Sequence, residues 1–302
     1  MALGAAVLSV ALQCSGVIFV RKSGFAGLVF AFHRMWLAAI VYTLISVARR
    51  APPTWRTIRL STPGGLWFAF NVATFFVAVG NTTIAHATVI GALQPVALML
   101  VANRLFGERI RRVDLLLTVL AISGVAFVVF ARASTGSSDR FGDLCAFASM
   151  LGYAAYYVAS KKARTTLGTL EYQTSLTLVA AFALAVVVAV AGKDLAAPRV
   201  SSWGWAVAMV ALPGSGHLLT NFAHAHVRLG VLGVLTLFSP VGSTFLAWLV
   251  LDETLNGWQL IGMAAVVSSL SLIVATNARS LPTRPRRDSG SGLRPSGDLS
   301  TD

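Results

Sequence analysis

Acidic residues are scarce in this chain: 11 Asp and Glu stand against 24 Lys and Arg in 302 residues. Charge of either sign reaches only 12%, about half the usual share of a soluble domain. So few charges cannot cover the surface of a water-soluble fold of this length. No Asp or Glu lies in the middle of any long apolar run; Asp114, Asp143, Glu171, Asp252 and Glu253 all fall near the ends. This removes the buried carboxylate relay on which many proton-coupled carriers depend. A Gly-x-x-x-x-Gly-Lys-Ser/Thr loop is also missing, which argues against ATP-driven work by this chain alone. Cysteine is limited to Cys14 and Cys145, both within apolar runs, so no disulfide framework is expected. The His224-Ala225-His226 pair has no nearby Asp, Glu or Cys to complete a metal shell. Neither a metal nor a cofactor is expected.

Apolar residues are abundant, at 56% of the chain, with a mean hydropathy of +0.74. A bilayer core about 30 Å thick needs about 20 apolar residues per helix. Ten runs meet or approach that length: 3–20, 28–47, 64–80, 88–106, 113–130, 141–160, 170–191, 203–222, 229–251 and 255–275. Backbone satisfaction in lipid makes them helices, and the fold class is all-α integral membrane with ten transmembrane helices. The stretch Leu12-Gln13-Cys14-Ser15 suggests a lipoprotein box, but residues 1–13 hold no Lys or Arg. The first run is therefore expected to be a retained span.

The net charge of +13 would suggest nucleic acid in a soluble protein. Here the basic residues cluster between apolar runs, so no nucleic-acid partner is expected. With the N-terminus inside, the cytoplasmic connections carry Arg49, Arg50, Arg56, Arg59, Arg109, Arg111, Arg112, Lys161, Lys162, Arg164, Arg228 and the tail arginines. The opposite side carries fewer, among them Arg21 and Lys22. This bias places both termini in the cytoplasm of a multi-pass protein of the inner (plasma) membrane. Residues 279–302 are basic and rich in Ser, Pro and Gly, a composition that reads as a disordered tail, with membrane lipid as a neighbour.

The chain also repeats itself. Gln94-Pro95-Val96 returns 145 positions later as Ser239-Pro240-Val241, Ala102 as Ala247, and Glu108 as Glu253. Five spans per copy is an odd number, so the second copy enters the membrane upside down. The first five-helix repeat spans 1–136 and the second 137–278. Pro-Val, a dozen mostly apolar residues, Gly107-Glu108-Arg109-Ile110 and a further apolar span together resemble the EamA-type repeat of the drug/metabolite transporter superfamily. The second copy is similar, with Asp252 in place of Gly. The resemblance covers roughly residues 3–275. It implies a central cavity, alternating access, and secondary export of amino acids or similar small metabolites; the direction of transport rests on it alone. The competing classes are an intramembrane enzyme and a non-transporting scaffold. Enzyme activity is not expected, because His33 and His217 lie on distant spans with no carboxylate to orient either one.

Polar residues at helical spacing mark the candidate cavity. Gln13 on span one, Trp67 and Asn71 on span three, Gln94 on span four, Tyr153 and Tyr157 on span six, and His217 and Asn221 on span eight are the expected substrate contacts. Helix packing is the competing reading for each of them. Spans one, three, six and eight should surround the cavity, with spans five and seven peripheral. Pro95 and Pro240, at matched repeat positions, are hinge candidates. His33 and Arg34 are expected to snorkel to the outer interface, the alternative being an anion contact at the outer mouth. Glu108 and Glu253 read as structural carboxylates favouring the helix that follows each. Peripheral helices leave room for a homodimer.

Overall fold

The computed structural model describes residues 1–82, 84–131, 139–196, 199–252 and 254–278. The expected tail at 279–302 and Glu253 lie outside them. Among the described residues the ordered elements are all helical. In chain order they are α1 (Ala2–Cys14), α2 (Gly16–Ser23), α3 (Gly27–Ala48), α4 (Trp55–Asn81), α5 (Ile84–Gly91), α6 (Gln94–Phe106), α7 (Arg112–Phe130), α8 (Arg140–Ala163) and α9 (Thr169–Val190). Then follow α10 (Ser202–Met209), a π turn at Val210–Gly214, α11 (Ser215–His224), α12 (Leu229–Leu235), α13 (Phe238–Leu251) and α14 (Gly257–Ala278).

Among the described residues, eight helical stretches are long and apolar enough to cross a membrane, counting α1–α2, α5–α6 and α12–α13 as one each. The runs expected at 141–160 and 203–222 are helical but fall outside that group. Helix α8 carries Asp143, Ser149, three tyrosines and Lys161, which lowers its hydropathy. The stretch from α10 to α11 is divided by the π turn, which contains Pro213. Proline lacks the N–H that an α-ladder needs, and a π turn absorbs the local mismatch. Leu44, Leu116, Phe182, Trp258 and Leu272 all lie exposed, an apolar exterior that suits lipid rather than water.

Two spans are broken at equivalent places. Helix α5 stops at Gly91 and α6 starts at Gln94, while α12 stops at Leu235 and α13 starts at Phe238. The prolines therefore follow breaks in their spans and do not bend a continuous helix. Pro95 and Pro240 sit in the first turn after a two-residue break, where a missing N–H leaves no ladder bond unmade. The second segments also end alike, with Gly107 (φ 65°) and Asp252 (φ 54°) in the left-handed C-cap conformation.

The helices pack in a pattern that links the two halves of the chain: α4 with α8, α1 with α11, α3 with α9, α6 with α12, and α7 with α14. Helices α7 and α14 meet backbone to backbone. A Cβ on Gly124 would lie 2.8 Å from the Gly262 carbonyl oxygen, so only glycine allows this approach. Span seven corrects the expectation of a peripheral helix. Helix α9 packs against both α3 and α4, and half of its most apolar window is buried, more than in the other spans. Its Ala180, Ala181 and Leu184 are fully buried. Small apolar residues serve helix packing in a membrane as well as polar ones do, so an apolar run does not by itself predict a lipid-facing helix.

Candidate functional site

A cavity of about 640 Å³ occupies one end of the bundle. Its walls come from the second half of the first span (Val17, Val20, Arg21), the first half of α3 (Phe30, Ala31, Arg34) and the last turns of α4 (Asn71, Val72, Phe75, Phe76). The first half of α8 (Ala146, Ser149, Met150, Tyr153), the end of α7 (Val128, Val129), α5 and the start of α14 (Gln259) also contribute. The break between α12 and α13 adds Thr236, Ser239, Pro240, Ser243 and Thr244. This will be called the Arg21 end. The volume falls in the range of small-molecule sites, and its wall is mostly apolar with separated polar groups.

Three of the eight residues singled out from the sequence line this cavity: Gln13, Asn71 and Tyr153. Gln13 donates from Nε2 to Thr220 Oγ1 at 3.1 Å. Asn71 Nδ2 donates to the Ser149 carbonyl and hydroxyl oxygens at 2.9 and 2.8 Å, and Ser149 Oγ donates back to the Asn71 carbonyl. Those bonds tie α1 to α11 and α4 to α8 while leaving one face of each side chain toward the cavity. Gln94 is buried just behind the wall, where Thr236 Oγ1 donates to its Oε1 at 3.4 Å across the two helix breaks.

The other four are elsewhere. Trp67 is 44% exposed on the outer face of α4, edge-on to Phe70. Its position one turn before Asn71 suggested the same face, but it points outward. Tyr157 is buried, packed edge-on at 4.7 Å against His224. Asn221 is fully buried; it accepts from Tyr156 Oη at 3.1 Å and donates to Gln173 Oε1 at 2.6 Å. His217 lines a smaller crevice beside Arg34, Phe68, Tyr156 and Gln173. The polar stripe of span eight thus holds helices together and contributes no side chain to the main cavity. His224 makes no hydrogen bond among the described residues.

Arg34 is the residue that the sequence reading misplaced. It lines both the main cavity and the His217 crevice. It stands seven residues into α3, about 10 Å along the helix axis, too deep to be a simple interfacial anchor. The signal was available, since a charge inside a span calls for a partner or a cavity. The hydroxyls around Pro240 were also missed, because Ser and Thr are common in helix interfaces.

The opposite end is closed by polar bonds between the two halves. Lys161 Nζ donates to Glu108 Oε1 at 2.5 Å. The same carboxylate accepts the Leu229 and Gly230 N–H groups at 2.8 and 3.1 Å. Glu108 therefore caps α12 of the other half rather than the helix that follows it, contrary to the sequence expectation. Nearby, Arg111 forks onto Asp114 with bonds of 2.9 and 2.8 Å, and Arg228 approaches the same carboxylate at 3.5 Å. The hydrogen bond to Asp114 pushes the Arg111 pKa up. Deeper in, Arg164 Nε donates to the Asn221 carbonyl at 2.8 Å. Burial pulls its pKa down, while Tyr172 and Glu171 act against that shift. No cluster of three or more His, Cys, Asp or Glu suited to a metal ion occurs among the described residues.

The family model of the EamA-like transporters matches residues 1–130 and 140–275. An uncharacterized transporter of Archaeoglobus fulgidus is 26% identical over 270 residues, covering 88% of this chain and 93% of the relative. A solved crystal structure superposes with a TM-score of 0.78 at 22% identity, covering 93% of this chain and 99% of that one. That likeness concerns the fold.

Proposed function

Because the chain belongs to the EamA-like transporter family, a family of multi-pass membrane proteins, we propose that it is a secondary transporter of amino acids or similar small metabolites, working by alternating access. The observation that carries this reading is the asymmetry of the bundle. Both halves of the chain line one cavity at the Arg21 end, and bonds between the halves close the Glu108 end. One closed end and one cavity is what a single state of such a cycle requires.

The ten-helix, inverted-repeat architecture is part of the proposal. Number the spans one to ten, with α8 as six and α10–α11 as eight, and exchange each span for the one five places away. The α4–α8 pair then becomes α11–α1, and the pairs α3–α9 and α7–α14 map onto themselves. The matched breaks before Pro95 and Pro240 support the same symmetry and favour these prolines as pivots. With both termini in the cytoplasm of a plasma membrane, the cavity faces outward. Gln13, Asn71 and Tyr153 are the proposed substrate contacts. Transport is uncoupled or linked to His217 or His224, because no carboxylate among the described residues lines the cavity.

The test is efflux of labelled metabolites from liposomes holding oriented protein, with and without a pH gradient. Selective efflux weakened by Asn71→Ala supports the reading. A gradient requirement that survives removal of both His217 and His224 overturns the coupling statement. No movement of any compound by folded protein overturns transport in favour of a scaffold.

A further inference from the structure

We infer that the cavity selects small organic anions, with Arg34 receiving the negative group. This rests on the transport reading above and adds the charge of the substrate to it. Among the described residues two cations line the cavity, Arg21 at its exposed rim and Arg34 within, and no Asp or Glu does. Among the described residues Arg34 has no hydrogen bond or ion pair, and Tyr153 and His217 are titratable groups close enough to feel its charge. The half-buried cations at the other end contrast with it: Lys161 pairs with Glu108, while Arg111 and Arg228 share Asp114.

A guanidinium inside a span is costly unless something compensates it. Arg34 lines a cavity of about 640 Å³, where hydration serves in the empty state and an oxyanion can replace the water. The planar fork of an arginine suits a carboxylate in two-bond geometry. Among the described residues the ammonium of a substrate would find no carboxylate, only amide and hydroxyl oxygens such as those of Asn71, Ser239 and Ser243. An anion without an ammonium group is therefore the best match, a zwitterion is second, and a cation is repelled. Phe30, Phe75 and Val72 form an apolar wall for the rest of the molecule.

Three probes share one aromatic body and differ only in charge: 3-phenylpropionate, phenylalanine and phenethylamine. Their dissociation constants are measured by titration calorimetry on the purified full chain in detergent, for the wild type and for Arg34→Gln and Arg34→Lys. The wild type should bind in the order anion, zwitterion, cation, with on the order of tenfold or more between first and last. Arg34→Gln should weaken 3-phenylpropionate by about ten- to a hundredfold, as expected for losing a charge-assisted bond, and should level the three. Arg34→Lys should keep the order at reduced affinity. If Arg34→Gln does not fold, the wild-type order and the Lys variant still decide. The inference is overturned if phenethylamine binds as well as 3-phenylpropionate, if a folded Arg34→Gln keeps wild-type affinity for the anion, or if none of the three binds. Efflux of neutral or cationic metabolites in the liposome assay would then leave transport standing without anion selection. Silence in both assays would remove both.

Discussion

The two ends of the bundle hold their charges differently. At the Glu108 end the half-buried cations meet carboxylates, and the pairs cross between the two halves of the chain. At the Arg21 end Arg34 faces a cavity with no acidic residue among the described residues of its wall. Closure of a membrane bundle by ion pairs needs good geometry, because desolvation offsets much of the attraction. Glu108 meets that demand with one cation and two backbone N–H groups. A cation left toward a cavity does the opposite, keeping the space hydrated and ready for an anion. The closed end is thus held by internal partners, and Arg34 in the cavity is left to accept an external one.

Removing the central carboxylate should disturb this contrast most. Glu108→Gln leaves Lys161 without its counter-charge, and we expect a loss of about 3 kcal/mol in denaturation of the purified protein. Val234, buried on α12, lines a crevice with Glu108 and Asp114; thiol labelling of Val234→Cys, placed in a background lacking Cys14 and Cys145, should speed up as the Glu108 end opens. Unchanged labelling would mean that packing alone closes that end. Overpacking the α7–α14 contact is the control that should not distinguish the ends. Gly124→Leu forces two backbones apart and should cost about 2 kcal/mol, with no preferential opening at Val234.

Two substitutions one helical turn apart sharpen the cavity end. Asn71→Ala should reduce flux by roughly tenfold through loss of its bonds to Ser149 and to substrate. Trp67→Ala, on the outer face, should leave flux within about twofold, a change no larger than that of an ordinary surface substitution. Equal losses would mean that the outer face of α4 participates in transport. The smallest effect concerns the two left-handed caps. Asp252→Gly should give at the Arg21 end the conformation that Gly107 provides at the other, gaining about 0.5 kcal/mol in thermal unfolding without altering flux.

Much of the fold was legible beforehand because lipid leaves the backbone one economical choice. Apolar length located the helices, and the recurrence of Pro-Val and Glu located the matched breaks. The site was less legible. Asn71 and Asn221 look alike in sequence, each on a polar stripe, yet one lines the cavity and the other is consumed by Tyr156 and Gln173. Helical spacing gives a face but not what that face meets. Arg34 and Trp67 failed for related reasons, since depth and azimuth depend on where the neighbouring helices stand.

By itself the sequence determined that this chain is a helical membrane protein with a repeated proline-centred element and few acidic groups, because those properties follow from solvent and local geometry. Only the tertiary structure decided that α9 is central, that Glu108 caps a helix of the other half, and that Arg34 faces a cavity. Each of those depends on contacts between segments far apart in the chain, and no local pattern encodes which helix will be the neighbour.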